Sequence, residues 1–136
     1  MTREFTTAPS IDDIEAIARA AFETLPDTFR MLTTGIVFRV SDFPDPETMI
    51  EMGLKSPFDL MGLYCGVPAG EKDTGSQPVI DMIFLYRRPL LDYWCETEED
   101  FSHLVRHVLI HEIGHHFGLS DDDMARLETS AVDKLS

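Results

Sequence analysis

Between Ser10 and Pro26 the apolar residues Ile11, Ile14, Ile17, Ala18, Ala21, Phe22 and Leu25 recur at helical spacing, which predicts an amphipathic helix. Ser10 is a suitable N-cap, Asp12 and Asp13 suit the first turn, and Pro26 closes the element. The pattern then changes to β-branched and aromatic residues in TTGIVFRVSDFP (33–44), a strand bounded by Gly35 and Pro44. DPETMIEMGL (45–54) reads as a short helix. DLMGLYCGVP (59–68) and PVIDMIFLYRRP (78–89) read as two further strands, joined by the loop AGEKDTGSQ (69–77).

After Pro89 the helical period returns. Thr97 is a candidate cap for a helix whose apolar face is Phe101, Leu104, Val105, Val108, Leu109, Ile113 and Phe117, ended by Gly118. Such a helix has about twenty residues and a length of roughly 30 Å. Ser120 can cap a last helix, DDDMARLETSAVDKL. Helix, strands, then helices predict an α+β fold: a compact domain with a small mixed or antiparallel sheet packed against helices.

The 136 residues suit one domain spanning 1–136. No apolar run reaches membrane-spanning length, and the charged N-terminal stretch does not resemble an export signal, so the expected location is cytoplasmic with no membrane partner. In that compartment Cys65 and Cys95 are expected to be reduced, buried small hydrophobes. Eleven basic against twenty-five acidic side chains leave a net charge of −14, which repels phosphate backbones and disfavours a nucleic-acid partner.

The chemistry concentrates in HEIGHHFGLSDDD (111–123). Residues four apart share a helix face, so His111 and His115 can aim two imidazoles at one ion. Glu112 is offset by about 100°, poorly placed as a ligand but within reach of a water on that ion, which makes it the candidate general base. Gly118 can turn the chain back in the left-handed conformation, and Asp121 becomes the candidate third ligand. Two imidazoles and a carboxylate leave an open zinc position, the arrangement of a catalytic site with one Zn2+ per chain, and peptide hydrolysis fits it best. The same ligand set also suits other first-row divalent ions.

Neighbouring residues admit other readings. SDDD (120–123) is also what a helix N-terminus prefers for capping alone. His103 and His107 extend the stripe of histidines, but His103 lies about 18 Å along the axis from His115 and cannot share its ion. His107 with His111 is a competing pair that lacks an adjacent glutamate and a following turn. His116 faces another side and fits a hydrogen-bonding role beside the site, and Met124 fits a core position beneath it.

HEIGHHFGLSDDDM (111–124), with DFPDPE (42–47), LMGLYCGVP (60–68) and FLYRRPLL (84–91), resembles the minimal zincin family of small bacterial zinc metallopeptidases with an HExxHxxGxxD motif. The resemblance implies a compact α+β fold with the motif helix beneath a small sheet. It also implies His111, His115 and Asp121 as metal ligands, Glu112 as the catalytic acid, and a peptide or protein substrate. A second reading, from a different class, is a non-catalytic metal- or partner-binding domain with a relict motif. A third is a metal-dependent ribonuclease, opposed by the net charge and by the glutamate at 112.

Overall fold

A computed structural model describes residues 7–33, 35–66 and 81–135. Helix α1 (Ile11–Glu23) starts at Ser10, whose hydroxyl accepts the Asp13 N–H while the Asp13 carboxylate accepts the Ser10 N–H. This reciprocal cap satisfies two of the donors a helix start leaves open. A one-turn helix, α2 (Asp27–Arg30), follows Pro26. Strand β1 (Val37–Ser41) leads to α3 (Pro46–Glu51), where Asp45 caps and Pro46 occupies the first turn. Strands β2 (Gly62–Cys65) and β3 (Met82–Tyr86) complete the sheet. Then come α4 (Arg87–Glu96), α5 (Phe101–His116) and α6 (Asp121–Leu135).

The sheet has the order β1-β3-β2. β3 runs parallel to β1, with Val37 opposite Met82, and antiparallel to β2, with Gly62 opposite Leu85. The fold is therefore α+β with a mixed sheet, and among the described residues β2 is one of its two edges. Ile83 and Leu85 alternate into the core from β3, as a strand period of two requires.

Helix α5 is the centre of the packing. It touches α1, β2, α4 and α6. Leu104, Val105, Val108, Leu109, Ile110 and Ile113 are all buried on it, each contributing about 1.5–3 kcal/mol of apolar transfer. What α5 still presents to water is mainly a line of histidines: His103, His107 and His115 are exposed and His111 is partly so.

Three expectations need correcting. The stretch ending at Pro89 is not all strand: β3 stops at Tyr86 and α4 begins at Arg87, with Pro89 in the first turn, where its missing N–H has no partner to lose. Thr97 caps no helix start; it ends α4, and Asp100 caps α5 through the His103 N–H. Cys65 and Cys95 are free thiols, as expected, but both are exposed rather than buried. The loop 69–77 and residues 78–80 of the third expected strand lie outside the described residues. Among the described residues no helix is long and apolar enough to cross a membrane.

Candidate metal centre

α5 and α6 form a tight helical hairpin. Gly118 adopts a left-handed backbone, φ 75°, and the Leu119 N–H returns to the Gly114 carbonyl at 2.8 Å. Ser120 then caps α6: its hydroxyl accepts the Asp123 N–H at 3.1 Å. The helices approach closely because residue 114 has no side chain. A Cβ there would lie 2.5 Å from the Met124 sulfur, and Met124 is fully buried, filling the corner of the hairpin.

This hairpin sets the positions of the motif residues. The rings of His111 and His115 are 5.7 Å apart at 75°. Two imidazoles bound to one tetrahedral zinc at about 2.0–2.1 Å have ring centres roughly 5 Å apart, a little closer than this pair stands. Asp121 stands exposed in the first turn of α6, close enough for its charge to act on His111.

A different trio is drawn together most tightly. The donor atoms of His107, His111 and Glu128 all lie within 4.8 Å of one another. His107 Nδ1 is paired with Glu128 Oε1, and His111 Nε2 is 3.9 Å from the same oxygen. His115 and Asp121 are not members of that cluster. Glu128 escaped the sequence reading because it sits on another helix with no motif around it. One signal was available: it follows Asp121 by seven residues, two helical turns, and so shares its face of α6.

The electrostatics separate the two central residues. Burial pushes the Glu112 carboxyl above its ordinary range, opposed by the neighbouring His115 and by a hydrogen bond from the Tyr64 N–H of β2. Burial also pushes His111 down, with His107 acting in the same direction and Glu128 and Asp121 opposing. A neutral imidazole is the form that ligates a metal. Beside them, His116 stacks on Tyr64, ring centres 4.0 Å apart, and thus braces the strand that holds Glu112.

Helix-borne histidines beneath a three-stranded mixed sheet define a zincin-like architecture. The sequence model of the zincin-like metallopeptidase family matches residues 33–131, and the chain belongs to that family. No curated protein matches it.

Proposed function

We propose that the protein is a zinc-dependent peptidase in which His111, His115 and Asp121 are the metal ligands and Glu112 moves the proton. Family membership supports zinc, and the N,N,O donor set suits it. The observation that carries the reading is the setting of Glu112: its carboxylate is one residue past His111, partly buried, raised in pKa and oriented by the Tyr64 N–H. A base tuned toward neutral pH is what general acid–base catalysis requires.

Zinc, when bound, supplies a Lewis acid that polarises the scissile carbonyl and acidifies water. The chain's own contribution is the proton path. Glu112 accepts the proton of the attacking water on its carboxylate and delivers it to the amide nitrogen. The C–N bond breaks, leaving one new carboxyl and one new amine. Tyr64 belongs to the edge strand β2, so an extended peptide laid along that edge would run past Glu112.

The test is Glu112→Gln in protein loaded with zinc. Peptide cleavage is expected to fall by about 10²–10⁴-fold while about one zinc per chain is retained. Cleavage at the wild-type rate would remove Glu112 from the mechanism. A second reading, metal binding without hydrolysis, is favoured by one observation: the donors that converge most closely omit both His115 and Glu112. Zinc-loaded wild-type protein that cleaves no member of a diverse peptide library would decide for it.

A further inference from the structure

The histidines of α5 and the acids of α6 face each other as two rows. Gly114 packs against Met124, and seven residues earlier on α5 His107 meets Glu128, four residues later on α6. The helices therefore run antiparallel, and the two carboxylates on the shared face of α6, Asp121 and Glu128, stand about two turns apart along the histidine row. Each end of the row has two imidazoles at i, i+4 and one carboxylate. His111 is common to both ends.

We propose that His107, His111 and Glu128 form a second divalent-cation site, which shares His111 with the HExxH pair, so that one ion occupies one end of the row or the other. An ordinary His–Glu ion pair accounts for His107 alone. The His111 Nε2, 3.9 Å from the same Glu128 oxygen, is beyond hydrogen-bonding distance, yet its ring lies only 4.2 Å from that of His107. Ligands on a tetrahedral ion with bonds of about 2.0–2.1 Å are roughly 3.4 Å apart, so the trio, already within 4.8 Å, closes on an ion by about an ångström of side-chain rotation. Two nitrogens and one oxygen select zinc, cobalt, nickel or copper over magnesium and calcium. Arg106, buried on α5, places a positive charge near Glu128 and moderates the affinity.

That one ion excludes the other rests on the peptidase reading of His111, His115 and Asp121; the existence of the second site does not. Cobalt(II) is the probe, followed by its visible absorption and by calorimetry on the full chain without a histidine tag. Wild-type protein is expected to take one ion. His115→Ala should still take one, with affinity within about tenfold of wild type, and adding Glu128→Gln or His107→Ala to it should weaken binding by more than about tenfold. Circular dichroism of the metal-free variants checks that the helices persist. Loss of all binding in His115→Ala, or unchanged binding when Glu128 or His107 is then replaced, overturns the second site, and two ions bound together in wild type overturn the sharing. None of these readings uses peptide cleavage, so they stand or fall apart from the Glu112 experiment.

Discussion

At the scale of single residues, Glu112 shows what the site costs the fold. Its carboxyl is raised mainly by burial, so the folded metal-free chain binds that proton more tightly than the unfolded chain does. Stability therefore falls as pH rises from the unfolded value of about 4.3 through the higher folded value, and the loss persists above it. In metal-free protein at neutral pH, Glu112→Gln is expected to raise the denaturation midpoint and to flatten its pH dependence across that window. Glutamine keeps an oxygen for the Tyr64 N–H, so the gain reports the charge alone. A midpoint lowered by the substitution would mean that the carboxylate is stabilising where it stands.

At the scale of elements, the α5–α6 hairpin rests on two glycines with different duties. At Gly118 only the backbone matters, since nothing lies within 4 Å of an added Cβ. Gly118→Ala should cost about 1–2 kcal/mol by thermal or urea denaturation. At Gly114 the obstacle is the buried Met124, and Gly114→Ala should cost about 1–3 kcal/mol while displacing α6. The two differ in a second measurement: cobalt binding survives the first change better than the second, because only the second moves the carboxylates away from the histidines.

Much of this level was legible in the sequence. The cap at Ser10, the Gly118 stop and the Ser120 cap follow from local chemistry, which acts within a few residues and so can be read from them. The strands were placed by their β-branched and aromatic runs. Arg87-Arg88-Pro89 misled because a proline that ends a strand is equally at home in a helix's first turn, and only tertiary contact decides. Thr97 and Asp100 are both good caps, three residues apart. In the site, the i, i+4 pairing of His111 with His115 is local and was read directly. Glu128 was not, because its approach to His107 depends on how closely two helices pack, which a residue without a side chain at 114 controls.

For the whole molecule, the net charge of −14 means that the metal-free fold works against its own repulsion, and any cation relieves some of it. Specific binding and general screening must be told apart. Zinc at about 100 times its dissociation constant should stabilise the protein by about 2.7 kcal/mol, and a chelator should reverse this. Magnesium chloride at the same ionic strength should give only the screening part. Equal shifts from the two salts would show that no site selects the transition metal.

The sheet and the hairpin differ in how far apart along the chain their partners lie. Val37 pairs with Met82, whereas only the short turn Phe117 to Ser120 separates the helices that carry every candidate ligand. Short-range closures form faster than long-range ones, so a refolding full-length chain can gather its ligands before β2 is seated against α5. Tyr64 reaches Glu112 only when that strand arrives, and an ion captured early would wait in a molecule whose proton carrier is not yet aimed.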